Sequence, residues 1–334
     1  MTDSAASPTG STAPVPGITT DPPTGAGPAR VGFFGPSGTF TEQALYTQPD
    51  LVAGEVIALP SIPDVLLAAE SGTVDLGFIP IENAIEGSVN VTIDTLAFEA
   101  DLLIQREVVI PISLCLMAVP GVRLDDLDTV VSFPHATAQC RGFITEKLPD
   151  GVVSEPANST ADAARLLAES SNHHTGAIGP ARAAEVYGLE VLASDIEDHP
   201  DNSTRFVAVA ARGIPAATGH DKTSIVVFQR ADAPGSLLAI LQEFAARAIN
   251  LVKLESRPTK RGLGDYCFLI DLEGHLDDEL VADCLRDLQS KHDVKFLGSY
   301  PAAGAHGPAA RRDADVAWQR ADAWLAELRR QVRH

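Results

Sequence analysis

Arg30-Val31-Gly32-Phe33-Phe34-Gly35-Pro36-Ser37-Gly38-Thr39-Phe40-Thr41-Glu42-Gln43-Ala44-Leu45 runs from a short apolar strand through a tight turn into the start of a helix. Gly and Pro punctuate the turn. Thr39 stands where a helix cap is needed, and Glu42, three residues on, completes a capping box. The same strand, turn and helix unit recurs along the next 170 or so residues. Ser61 caps a helix over 62–70, and 75–80 reads as a buried strand with Ile81-Glu82-Asn83 beyond its carboxyl end. Apolar runs at 102–112, 114–119, 129–132, 152–155 and 176–178 then alternate with helical stretches at 136–148, 159–170 and 181–187. Such alternation predicts a mostly parallel α/β sheet, or two of them.

The pattern changes after Ala211. Residues 213–219, Gly-Ile-Pro-Ala-Ala-Thr-Gly, read as a linker. Beyond them come a strand at 223–229, a helix at 235–248, strands at 250–255 and 266–272, a helix at 277–290 and a strand at 294–299. That β-α-β-β-α-β order is a ferredoxin-like unit. At the other end, 19 of the first 30 residues are Ser, Thr, Gly or Pro, so 1–29 reads as a disordered tail. Past Tyr300 a loop-like stretch leads to Trp318, Ala321, Leu325, Leu328 and Val332, whose spacings of three and four put them on one face of a helix. The expected division is therefore a tail (1–29), an α/β body (30–212), a ferredoxin-like domain (222–300), and a linker with a C-terminal amphipathic helix (301–334).

Composition narrows the function classes. At 334 residues and 45% hydrophobic, the chain is long enough for two or three domains with real cores. Its 45 acids against 25 bases, net charge -20, argue against nucleic acid or an anionic membrane as a partner. An anionic substrate would need local donors to overcome that field. Cys115, Cys140, Cys267 and Cys284 form no CxxC pair and read as buried small side chains in a reducing compartment. No apolar run approaches 18 residues, and the N-terminus lacks the pattern of a signal peptide, so a cytoplasmic location is expected.

The polar groups with chemical potential cluster at strand ends, where open α/β folds present ligands. Asn202-Ser203-Thr204-Arg205-Phe206 opens into the apolar run 207–210, setting hydroxyls, an amide and a guanidinium together. It reads either as a place prepared for an anion or as a loop whose Arg pairs with a carboxylate. The turn 35–40 offers backbone N–H groups and two hydroxyls, either an anion cradle or an ordinary capped turn; it fits neither a Walker A motif nor GxGxxG. Glu82 and Asn83 follow one buried strand, and Ser132-Phe133-Pro134-His135 with Gln139 follows another. His173-His174 lacks other ligand types at suitable spacing and reads as solvated; no metal or cofactor site is expected. Hydroxyls, amides and one Arg suit a reaction that needs orientation more than a strong nucleophile.

Taken in order, 35–42 (Gly-Pro-Ser-Gly-Thr-Phe-Thr-Glu), Pro80-Ile81-Glu82-Asn83 with 86–89, Ala138-Gln139-Cys140 and Thr204-Arg205-Phe206 resemble the motifs of prephenate dehydratases. Gly235-Ser236-Leu237 and Glu255-Ser256-Arg257-Pro258 resemble the two signature segments of that family's regulatory ACT domain. The resemblance covers about 31–299. It implies a catalytic domain of two α/β lobes, like type II periplasmic binding proteins, with the active site in the cleft between them, followed by a ferredoxin-like ACT domain. The implied reaction converts prephenate to phenylpyruvate, with loss of carbon dioxide and water, in phenylalanine biosynthesis.

The family's essential threonine corresponds to Thr204, and its active-site Asn, Ser and Gln to Asn83, Ser132 and Gln139. Ser37, Thr39, Glu82, Arg205 and Phe206 complete the expected substrate site, with Thr204 donating to the leaving hydroxyl while Arg205 and the 37–39 turn hold carboxylates. Phenylalanine is expected to bind at Gly235, Ser236, Leu237, Glu255, Ser256, Arg257 and Pro258 between subunits of a homodimer or homotetramer. Phe133, His135 and Ala84 depart from the family pattern and inherit no role. The short stretch before Val31 leaves no room for a fused chorismate mutase, so a monofunctional enzyme is expected. Arogenate as substrate, or a non-catalytic amino-acid sensor on the same scaffold, are the alternatives.

Overall fold

The computed structural model describes residues 29–229, 234–259, 265–303, 323–324 and 327–331. The chain opens with β1 (Arg30–Phe34), α1 (Phe40–Tyr46), β2 (Glu55–Leu59), α2 (Ile62–Glu70), β3 (Leu76–Asn83), β4 (Gly87–Ser88), α3 (Asn90–Asp94) and β5 (Leu103–Pro111). It crosses into β6 (Cys115–Ala118), β7 (Thr129–Ser132), α4 (Pro134–Ala138), α5 (Arg141–Lys147), β8 (Val153–Pro156), α6 (Thr160–Ser170), β9 (Thr175–Gly179), α7 (Ala181–Tyr187) and β10 (Glu190–Ala193), then returns in β11 (Ser203–Ala210). Last come β12 (Asp221–Phe228), α8 (Ser236–Ala245), β13 (Leu251–Pro258), β14 (Tyr266–Glu273), α9 (Glu279–Lys291) and β15 (Asp293–Pro301).

These strands form three sheets: β2-β1-β3-β11-β5 with β4 beside β3; β10-β6-β9-β7-β8; and β13-β14-β12-β15. The first two sheets are mixed, a correction to the mostly parallel expectation. β11 enters the first sheet on its return from the second and runs antiparallel to both β3 and β5. Two sheets joined by two crossings give the two-lobed, type II periplasmic-binding-protein-like plan. The third sheet, with α8 and α9, is the β-α-β-β-α-β domain.

Local side-chain caps start three of the helices. Thr39 accepts from Glu42 N, Ser61 from Asp64 N and Ser159 from Asp162 N. Glu42 departs from the capping-box expectation: its carboxylate reaches one residue further back, to Gly38 N at 2.7 Å. The helix expected over 136–148 is two short helices, broken where Asp198 N donates to Gln139 O at 2.6 Å. β3 runs on through Glu82 and Asn83, which pair with Arg205 and Thr204. β13 runs on to Pro258. The tail through residue 28, and Trp318, Ala321, Leu325 and Val332 of the C-terminal pattern, lie outside the described residues; Leu328 is helical and exposed.

One face of the first sheet packs Phe78, Phe206 and Ala208 against Ala44 and Leu45 of α1. The opposite face packs Ile79, Val207 and Val209 into a core shared with α2 and with Val226, Leu269, Leu297 and Tyr300 of the third sheet. The docking is close enough that a Cβ on Gly298 would stand 2.5 Å from Ile104 O, so β15 needs glycine there. Phe98 and Phe228 meet edge to face across the same seam, with centroids 6.1 Å apart.

Candidate active site

β3 and β11 together build a hydrogen-bonded polar group at the end of the first sheet. Asn83 and Thr204 are register partners. Asn83 Oδ1 accepts from the backbone N–H of Ile85 and of Glu86, both at 3.0 Å, which fixes which end of the amide is which. Its Nδ2 therefore donates, to Thr204 Oγ1 at 2.8 Å and to Asn202 Oδ1 at 2.9 Å. The consequence is chemical. With its oxygen already accepting, the Thr204 hydroxyl keeps its single proton available for another acceptor. Thr204 and Asn202 are both buried, so that proton is held in a low-dielectric setting.

Three contacts join the first lobe to the second. Tyr187 Oη on α7 donates to Ser37 O at 2.8 Å, and Arg182 Nε donates to the buried Glu42 carboxylate at 3.2 Å. At the β3–β4 turn, immediately after Asn83, Glu86 meets His135 Nδ1 of the second lobe at 3.2 Å. Gly38, at φ +86°, lies where a Cβ would press on Tyr187 and Ala183 at 3.0 and 3.1 Å. Thr39 holds α1 by its hydroxyl, as a cap should. Ser37 and Gln139 are half-buried, Gln139 at the break between α4 and α5.

Strand alternation separates residues that are neighbours in sequence. Arg205 points away from Thr204, toward the third sheet, where Nε donates to Glu107 at 2.7 Å, Nη1 to Asp271 at 2.6 Å and Nη2 to Tyr300 Oη at 2.7 Å. Its charge is matched by those partners, on the side away from Thr204. Glu82 lies opposite it on β3 and pairs with Lys253 Nζ at 3.0 Å, again on the third-sheet side. Phe206 is core, stacked on Phe78 with centroids 5.8 Å apart. Ser132 is fully buried and donates to Ile178 O at 2.7 Å, leaving no proton for a ligand. The structure thus keeps Asn83 and Thr204 together, engages Glu82 and Arg205 on the third-sheet side, buries Phe206 against Phe78 and commits the Ser132 hydroxyl to Ile178 O. Asn202, Glu86, Arg182 and Tyr187 were missed. Asn202, inside the Asn-Ser-Thr run, and Glu86, inside the 86–89 motif, carried a sequence signal; Arg182 and Tyr187 carried none.

The same alternation divides the second candidate site. Gly235 takes φ +88° ahead of α8, and Ser236 Oγ accepts from Gln229 Nε2 at 2.6 Å; Leu237 packs on that domain's core. On β13, Ser256 and Pro258 are exposed, whereas Glu255 bonds Ser88, and Arg257 bonds Asn90 at 3.0 Å and Asp94, all three on the first lobe. Glu255 and Arg257 are therefore domain-to-domain contacts within this chain. Burial pushes the Glu255 carboxyl up, but its bonds to Ser88 and Arg257 outweigh that and hold it below the usual range.

The prephenate dehydratase family model matches residues 31–213, and the ACT domain model matches 223–289. The chain belongs to the prephenate dehydratase family. A prephenate dehydratase of Mycolicibacterium gilvum is 40% identical over 311 residues, 90% of this chain and 98% of that one. The structure of an Arthrobacter aurescens prephenate dehydratase in complex with L-Phe superposes with a TM-score of 0.81 at 40% identity, covering 90% of this chain and 99% of that one. A structure described as a novel type of quorum quenching acylase follows at TM-score 0.73 and 28% identity, covering 82% and 98%. The chain is thus a hydro-lyase that takes prephenate to phenylpyruvate, with a C-terminal ACT regulatory domain. Among the described residues no His, Cys, Asp and Glu group could hold a metal, and no helix is long and apolar enough to cross a membrane.

Proposed function

We propose that Thr204 is the proton donor of the dehydration and that Asn83 sets its direction. In prephenate the ring carboxylate leaves as carbon dioxide, its electron pair moves through the ring, and the hydroxyl on the opposite ring carbon is expelled. That hydroxyl needs one proton to leave as water. A threonine hydroxyl is too weak an acid to ionise at neutral pH, so it acts as a positioned donor that strengthens its bond as the oxygen departs, and recovers its proton from solvent. The observation that carries this reading is the Asn83 Nδ2 to Thr204 Oγ1 bond at 2.8 Å. The turn at Ser37–Thr39 and Gln139 supply the remaining polar groups for the substrate's carboxylates. The test follows formation of phenylpyruvate from prephenate: Thr204→Ala loses kcat by about 100-fold or more at unchanged fold, and near-normal turnover would rule the role out.

Phenylalanine is the proposed effector, binding the ACT domain at Gly235–Leu237 and the exposed side of β13 around Ser256. The L-Phe complex of the A. aurescens relative supports this. Inhibition follows if phenylalanine binds one of two arrangements of the domains more tightly. The proposed division places catalysis in 30–212 and regulation in 222–300, in a cytoplasmic homo-oligomer.

A further inference from the structure

The two residues of the candidate active site each have an ion-paired neighbour on the opposite face. Thr204 is followed by Arg205 and Asn83 is preceded by Glu82, and both of those side chains are bound by the third sheet. We propose that Arg205 is a positioning residue for the dehydration: gripped by Asp271 and Tyr300, it fixes the strand end that presents Thr204 to Asn83, so that the seating of the ACT sheet sets the aim of the Thr204 hydroxyl. This rests on the reading of Thr204 as the donor.

Three features support it. The β3–β11 register slips between Arg205 and Phe206, so on the β3 side the pairing of Thr204 and Arg205 is set apart from the ladder that follows, while on the β5 side it runs unbroken from Ser203 to Ala208. All three guanidinium nitrogens are engaged, and Arg205 is only 9% exposed. The grip is itself braced, because Ser224 donates to Asp271 at 2.6 Å and meets Tyr300 Oη at 2.5 Å. A rigid guanidinium fork held at three points transmits displacement where a single flexible contact would absorb it. A shift of the third sheet would therefore reach Thr204 through one peptide unit.

The experiment uses the full chain with Asp271→Asn, Tyr300→Phe, Thr204→Ala and the Thr204→Ala/Asp271→Asn double variant, following kcat, KM and the unfolding midpoint on prephenate. Tyr300→Phe removes one hydroxyl from a packed ring, and remains informative should Asp271→Asn fail to fold. The expected result is a fall in kcat of about 10- to 100-fold in either third-sheet variant, from sub-ångström misplacement of the donor, with KM within about two-fold. The double variant should turn over no more slowly than Thr204→Ala, since Asp271 acts through Thr204. Loss of kcat in Thr204→Ala together with unchanged kcat in both third-sheet variants would overturn this inference and leave the donor reading standing. So would a double variant slowed by the full product of the two effects. Near-normal turnover in Thr204→Ala would overturn both.

Discussion

Ser132 has one hydroxyl proton and gives it to Ile178 O, at zero exposure. Ser132→Ala should therefore cost about 1–3 kcal/mol of stability by orphaning a buried carbonyl, while KM for prephenate stays near its original value; denaturant unfolding and steady-state kinetics read the two separately. A rise in KM without loss of stability would return Ser132 to the substrate site. The residues themselves were legible in the sequence more readily than their directions. Thr204 and Asn83 stood out as polar groups at strand ends, and the structure joins them at 2.8 Å. Arg205 and Phe206 stood out equally, but period-two alternation turns Arg205 to the opposite face, while a bulge and the aromatic core decide the place of Phe206. Both facts depend on which residues are in the strand. Residues 81–83 follow Pro80 and read from sequence as lying beyond β3, so neither their pairing nor their facing is legible there.

At the scale of elements, the turn between β1 and α1 is the best test of how the lobes meet. Gly38 has a backbone conformation that L side chains rarely adopt, and α7 leaves no space for a Cβ. Gly38→Ala should cost at least about 1–2 kcal/mol from the left-handed backbone alone. It should also raise KM, because the added methyl wedges Ser37 away from Tyr187. Thermal unfolding and the KM for prephenate check both. The elements read correctly from sequence are those with strong local causes: the side-chain caps at Thr39, Ser61 and Ser159, and the apolar strands β5, β9 and β14. β2 and β10 were missed because they are short edge strands with little buried apolar surface. The break between α4 and α5 was missed for a different reason. It is imposed by Asp198, about sixty residues away, through Gln139 O and Gly142 N.

Across the whole molecule, the catalytic body and the third sheet share one core and one set of charges. Asp271 is pushed up by burial, but the Arg205 guanidinium beside it outweighs that and holds it below the ordinary carboxyl value. A carboxyl depressed on folding stabilises the native state above its unfolded pKa of about 3.9. That contribution is lost as pH falls from there through the folded value. Denaturant midpoints measured below about pH 4 should therefore drop, and the drop should be shallower in Asp271→Asn, which has no proton to take up. An equally steep decline in that variant would assign the acid sensitivity to other carboxylates. Two domains were visible in the sequence because their strand and helix orders differ. Their contact was not, since Arg205, Glu107 and Asp271 are three isolated charges until folding brings them together.

Glu107, Arg205, Lys222 and Asp271 make a set of two cations and two anions, and each half of the molecule contributes one of each. Glu107 and Arg205 already meet within the first sheet, and Lys222 and Asp271 complete the partners of each from across the seam. The regulatory domain is consequently not an interchangeable cassette. A foreign ACT domain grafted at residue 221 would bind phenylalanine yet leave Glu107 and Arg205 facing a surface without Lys222, Asp271 or Tyr300. Such a chimaera would inherit a sensor with no mechanical hold on the strand it is meant to govern. Change on either side of the seam is compatible with function only when the other side changes with it.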